Sequence, residues 1–256
     1  MPQQNIRLVL AYEGSSYLGW QETPMGLSIE RTLRQAIEQI LQEPIALQGA
    51  SRTDAGVHAQ GQVANFFTER QNINLKKLQR SLNGLLPDDI SVIDINPAPE
   101  SFHPTIDAIS KEYHYHLCTG HVQLPHHRTT SWHYPYHLDV ASMKQASKLL
   151  VGEHDFAAFC NTKKNDKTSH TIRQVTNINI CEFGKQRLKI VVSGHSFLYK
   201  MVRNIVGTLV YVGCRKIAVE NIENILTRKD RTLSGITAPA HGLCLAKVVY
   251  CDVLSN

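Results

Sequence analysis

The sequence predicts an α+β protein of two ferredoxin-like halves, each running βαββαβ with a mainly antiparallel sheet. Three observations predict it. Hydrophobic periodicity switches between two and three-to-four residues in the same order twice along the chain. Pro97, Pro99 and Pro104 form a stiff connector between the two runs, where few helices or strands could continue. With 256 residues, 42% of them apolar, the chain can fill one large core or two small ones. The halves are expected at residues 1–103 and 104–256, with sheets that either join or face one another, and a cleft between such halves is a natural place for a large ligand.

In the first half, Ile6 to Ala11 is apolar and strand-like. Ile29, Leu33, Ala36, Ile37, Ile40 and Leu41 form one helical stripe, and Ile45 to Gly49 is a short strand after Pro44. Gln62 to Phe67 returns as a strand. Asn74 caps a helix carrying Leu75, Leu78, Leu82 and Leu85, and Pro87-Asp88-Asp89 turns the chain into the strand Ile90 to Ile95. This is the split βαβ order.

The second half repeats it with a strand at Tyr113 to Cys118, a helix from Val140 to Leu150 behind the cap Asp139, and strands at Val175 to Cys181 and Leu188 to Ser193. A long helix is expected from Ser196, with Phe197, Leu198, Met201, Val202, Ile205, Val206 and Leu209 on its apolar side, and Gly207 would let a neighbouring element approach closely. A further helical stretch lies around Val219 to Leu226, and a final strand at Leu243 to Val253. Between the first strand and the first helix of this half runs a His- and Pro-rich loop, His121 to His137.

Composition narrows the class. The opening MPQQNIRLVLAYEG has no basic segment followed by a long apolar run, and no stretch reaches the length of a membrane span, so a cytoplasmic location without membrane attachment is expected. Six cysteines without a CxxC pair argue for reduced, mostly structural thiols. A net charge of +5 favours a polyanionic partner only mildly.

The chemistry centres on Asp54 in the string SRTDAGVHA, between Arg52 and the small residues Ala55 and Gly56. An Asx turn closing a hairpin would explain an isolated Thr-Asp-Ala-Gly. The longer string, set between strands, instead reads as a reactive acid presented on a loop, with Arg52 able to hydrogen-bond phosphate. Arg203 lies at the margin of an apolar helix face. Burying such a guanidinium unpaired costs several kcal/mol, on the order of the penalty for an isolated ion, so it calls for an anionic partner, and Asp54 is the candidate. Snorkelling to solvent is the alternative.

Weaker candidates surround these. Tyr12 to Gln21, with Gly14, Gly19 and Trp20, fits either close backbone approach to RNA or a turn with a core Trp. Lys163, Lys164 and Lys167 fit phosphate contacts or plain solvation, and His58 reads as a satisfied polar group beside the Asp54 loop. A metal site from His114 and His116 with histidines of the 121–137 loop lacks any recognised ligand spacing. A glycoside hydrolase would need a second carboxylate near Asp54, and a pure RNA-recognition module would need its aromatic motif; neither stands out.

The motifs AYEGSSYLGWQ (Ala11 to Gln21), GASRTDAGVHAQGQV (Gly49 to Val63), LNGLLPDDI (Leu82 to Ile90), KEYHY (Lys111 to Tyr115), GEHDFAAF (Gly152 to Phe159), FLYKMVRNIVG (Phe197 to Gly207) and TAPAHGL (Thr237 to Leu243) carry a resemblance over nearly the whole chain. In order and spacing the sequence resembles the tRNA pseudouridine synthase A family. The resemblance implies a pseudouridine synthase fold with its central RNA-binding cleft. It also implies isomerisation of uridine to pseudouridine at positions 38, 39 and 40 of the anticodon stem-loop of transfer RNA. The enzyme it implies is a homodimer using no metal and no cofactor. It maps Asp54 as the catalytic aspartate, Tyr113 as the aromatic residue against the target base, and Arg203 as the partner of Asp54. Arg52 reads either as helping to hold the displaced strand or as a solvated surface charge. Four positions depart from the usual family pattern: Ser51 where glycine is common, Glu13 where aspartate is frequent, and Thr105 and His170 where arginines are often found.

Overall fold

The computed structural model describes residues 3–161 and 170–251, and the chain divides into two compact units, residues 1–109 with 244–256, and residues 110–243. Lys163, Lys164 and Lys167 lie outside the described residues, as does the end of the expected last strand at Val253.

The first unit is built from β1 (Gln4–Tyr12), α1 (Ile29–Leu41), β2 (Leu47–Gly49), β3 (His58–Thr68), α2 (Leu75–Leu85) and β4 (Ile90–Ala98). β1 is flanked by β3 and β4, and β2 lies against the far end of β3, every pair antiparallel. This is the ferredoxin-like order. The amphipathic stripe of α1 buries Ile29, Leu33, Ala36, Ile37 and Leu41, each fully buried Leu or Ile contributing about 1.5–3 kcal/mol. Ser28 caps α1 by accepting from Arg31 N, and Asn74 caps α2 by accepting from Lys77 N. Around them, β1 alternates in burial with Ile6, Leu8 and Leu10 inward.

The second unit contains β5 (Ser110–Cys118), the two-residue β6 (Trp132–His133), α3 (Val140–Leu149), β7 (Gly152–Asp155), β8 (Ile172–Glu182), β9 (Arg187–Gly194), α4 (Met201–Gly213) and α5 (Asn221–Arg228). Its strands pair antiparallel as β5-β9-β8-β7, with β6 running parallel along the end of β5. Asp139 caps α3 through Ser142 N at 3.1 Å. β7 is an edge strand that the sequence pattern does not announce.

The closing strand, β10 (Leu243–Val249), completes the second repeat β5-α3-β8-β9-α4-β10 in chain order, yet from Cys244 on it clusters with the first unit. There it pairs parallel with the start of β3, Cys244 opposite His58 and Leu245 opposite Ala59. The division therefore falls at Ile109/Ser110 and again at Leu243/Cys244, whereas the sequence expectation placed one boundary at 103/104. Residues 99–109 stay with the first unit because Asn5 Nδ2 donates to the carbonyls of Pro99 and Phe102, and Tyr250 Oη donates to Pro104 O.

The expected helix start at Ser196 is corrected to Met201. Lys200 adopts φ 60°, which breaks a right-handed path, and Phe197 packs edge-on against Tyr113 instead of joining the helical stripe. No helix among the described residues is long and apolar enough to cross a membrane.

Candidate active site

Asp54 sits half-buried on the loop from β2 to β3, between buried Thr53 and exposed Ala55. The backbone on both sides is tied down. Ala50 N donates to Val63 O at 2.8 Å, and the fully buried Gln62 grips Ser51 at both its N–H (3.2 Å) and its carbonyl (2.6 Å). Thr53 O accepts from Trp20 N at 3.0 Å, and Thr53 Oγ1 is hydrogen-bonded to Tyr12 Oη at 2.8 Å. Past the carboxylate, Val57 N donates to Asp54 O at 3.1 Å, closing a turn whose third residue, Gly56, has φ 78°.

The 12–21 segment is the outer brace of this loop, with Trp20 in the core. Trp20 is 1% exposed and packs over Gly49, where an added Cβ would lie 2.5 Å from the indole. Gly19, at φ 99°, lets the chain pass Thr53 so closely that an added Cβ would sit 2.5 Å from its carbonyl oxygen. His58 is buried and its Nδ1 accepts from Gly14 N at 3.0 Å, so it is a satisfied polar group that fixes the same segment. Arg52 is exposed.

Three positions that depart from the usual pattern lie at the Asp54 loop or at the 12–21 segment that braces it. Thr105 Oγ1 donates to Gly49 O at 2.8 Å, at the start of the Asp54 loop. Ser51 is the residue held by Gln62, and the Glu13 carboxylate lies 3.5 Å from His58 Nδ1.

In the second unit, Tyr113 points to the buried face of β5, is 6% exposed, and meets Phe197 edge-on at 5.3 Å. Arg203 lies in the first turn of α4, half-buried, with its Nε donating to Ala238 O at 2.7 Å. Tyr115, two residues beyond Tyr113 on the same face, donates its hydroxyl to Pro239 O at 2.8 Å. Burial raises the Tyr115 pKa well above its usual value, and the Arg203 charge works weakly against that shift. Among the described residues, no group of three His, Cys, Asp or Glu side chains could hold a metal ion, so His114 and His116 belong to no such cluster.

A family model described as tRNA pseudouridine synthase matches residues 8–106 and 146–251. The chain is 51% identical over 247 residues to tRNA pseudouridine synthase A 2 of Protochlamydia amoebophila, covering 96% of this chain and 94% of that protein. It is 43% identical to tRNA pseudouridine synthase A of a Thermoanaerobacter species and 41% identical to that of Geotalea daltonii, covering 96% of this chain and all of each relative. The chain belongs to the tRNA pseudouridine synthase family. It is accordingly an isomerase that converts uridine to pseudouridine in tRNA.

The reaction of a tRNA pseudouridine synthase breaks the N1–C1′ bond of uridine, turns the uracil and joins C5 to C1′. Sequence reasoning singled out Asp54, Arg203 and Tyr113 but passed over Thr53, Gln62 and the Thr237–Pro239 stretch. The last of these lay inside TAPAHGL, where only the motif, and no single residue type, signalled it.

Proposed function

We propose that this synthase isomerises uridine at positions 38, 39 and 40 of the tRNA anticodon stem-loop, with Asp54 as its catalytic carboxylate. The observation that carries the reading is a half-buried acid whose neighbours on both sides are hydrogen-bonded into place while its own position stays accessible. Ionised, Asp54 can attack C1′, add to C6 of the ring, or remove the C2′ proton to give a glycal. Each route ends with C5 bonded to C1′ and the C5 proton released, with no change of redox state.

In this reading Arg203 supplies the cation that favours the charged form of Asp54 and directs it. Tyr113 contributes an aromatic surface against the target base. Arg52, exposed beside the acid, meets the phosphate backbone of the displaced strand. Extruding a paired nucleotide costs a few kcal/mol, which such backbone contacts offset. The enzyme works in the cytoplasm as a homodimer on tRNA, without membrane attachment.

The test is to map pseudouridine in tRNA from cells lacking this protein, complemented with the parent or with Asp54→Ala. The parent restores modification in the anticodon stem-loop, and the variant restores none while still binding tRNA. Equal restoration by both removes Asp54 from the chemistry, and restoration only at other tRNA positions overturns the target assignment.

A further inference from the structure

We infer that Arg231 is a positioning residue for the isomerisation, acting through Thr237, Ala238 and Pro239 on Arg203 and on the strand that carries Tyr113. The inference rests on the proposed role of Arg203. Arg231 lies in the short helical turn after α5, far in sequence from every candidate site residue.

Its guanidinium holds four neutral oxygens. Nη1 donates to Ser234 Oγ at 2.7 Å and Gly235 O at 2.8 Å, while Nη2 donates to Asn204 Oδ1 at 2.9 Å and Thr237 Oγ1 at 3.0 Å. Thr237 Oγ1 in turn donates to Asn204 Oδ1 at 2.7 Å, closing a triangle. Asn204, the residue after Arg203, is fully buried, and its amide nitrogen is committed to Phe159 O and Asn161 Oδ1, so its oxygen must face Arg231. Thr208 ties the same two pieces together, accepting from Gly235 N at 2.9 Å and donating to Asn204 O at 2.8 Å.

The result is a segment, Ser234–Pro239, laid flush on the first two turns of α4. At Gly207 an added Cβ would fall 1.6 Å from Ile236 O, so no side chain separates them. Two successive carbonyls of that segment then do different jobs. Ala238 O accepts from Arg203 Nε at 2.7 Å, and Pro239 O accepts from Tyr115 Oη at 2.8 Å. The direction of Arg203 and the placement of β5 are thus referred to one short stretch of backbone, and Arg231 holds its upstream end. Only a planar fork spans those four acceptors; a lysine ammonium keeps the charge and loses the geometry. Burial lowers the Arg231 pKa, the cost of holding this cation among neutral oxygens.

The test compares Arg231→Lys in the parent and in an Arg203→Lys background by single-turnover pseudouridine formation on a tRNA transcript. Alongside it, KM and tRNA affinity are measured. In the parent, Arg231→Lys lowers the rate about tenfold or more, since small misplacements of a reacting group carry costs of that order, with KM and affinity within about threefold. In the Arg203→Lys background the same change costs less than about threefold, because the group it acts through is already misplaced. Thr237→Val, which removes two bonds of the triangle and no charge, gives the same split and carries the test if Arg231→Lys fails to fold. An equal rate loss in both backgrounds, a loss confined to KM, or a parental rate in Thr237→Val overturns the inference while leaving Arg203 in its role. A parental rate in Arg203→Lys alone overturns both.

Discussion

Arg203 and Ala238 hold each other at two points: the Arg203 Nε donates to Ala238 O at 2.7 Å, and Ala238 N donates back to Arg203 O at 3.1 Å. Side chain and backbone of one residue are clamped by the backbone of the other, so the guanidinium leaves α4 in a single direction.

That clamp predicts how substitution at Arg203 divides between rate and binding. Lysine restores the positive charge but has no Nε donor to meet Ala238 O. Arg203→Lys is expected to lower the single-turnover rate about 100-fold, the scale of a catalytic group displaced by an ångström, and to change tRNA affinity by less than about threefold. Rate measurements beside filter binding check it. A matched loss in both would make Arg203 an RNA-binding residue only.

Gly19, beside the Asp54 loop, gives a second prediction. Any side chain there would have to adopt φ 99° and would press a Cβ to 2.5 Å from Thr53 O. Gly19→Ala is expected to destabilise the protein by more than about 2 kcal/mol, the backbone conformation alone accounting for roughly 1–2 kcal/mol. Since the displaced carbonyl belongs to the residue before Asp54, activity at a temperature where the variant is still folded should fall further than stability does. Chemical denaturation and rate measurements on one preparation separate the two effects.

The Tyr12–Thr53 hydrogen bond predicts a milder loss. Tyr12 is 4% exposed and Thr53 7% exposed, so Tyr12→Phe leaves a buried hydroxyl without this partner and should cost about 1–3 kcal/mol. The ring still packs against Trp20, so the fold persists and the variant is expected to keep a reduced rate. A melting temperature equal to the parent's would show that the bond contributes nothing.

What was legible in the sequence was what is decided locally. The caps Asn74 and Asp139 and the stripe of α1 could be read off because capping and helical periodicity involve residues three or four apart. The start of α4 could not, because it depends on Lys200 at φ 60° and on Phe197 being taken by Tyr113, 84 positions earlier in the chain. Gly207 was read as a site of close approach, and the neighbour proved to be the Ile236 carbonyl. The loop of Asp54 stood out as a string, but its braces, Tyr12, Trp20 and Gln62, are polar or aromatic residues whose pairing exists only once the strands are in register. Arg231 is the extreme case. In KDRTLS it looks like an ordinary surface charge, and only the fold shows that its donors end on Asn204 and Thr237.

Asp155 carries a prediction about acid stability away from the proposed site. It ends β7, and burial by itself would raise its pKa. Lys229 Nζ at 2.7 Å, Thr171 Oγ1 at 2.5 Å and Ala157 N at 3.0 Å outweigh that and hold the carboxyl below its ordinary value of 3.8. Folding therefore favours the ionised form. The stabilisation is fully present above the unfolded value of 3.8 and is lost as pH falls through the lower, folded value. Asp155→Asn removes the charge that Lys229 and Thr171 hold, so its melting temperature should lie below the parent's at pH 7. The gap should then close as the pH is taken below 3.8, because the parent loses what the variant never had. A gap that stays constant from neutral to acid pH would mean that Asp155 contributes through packing and neutral hydrogen bonds, with its charge adding nothing to the fold.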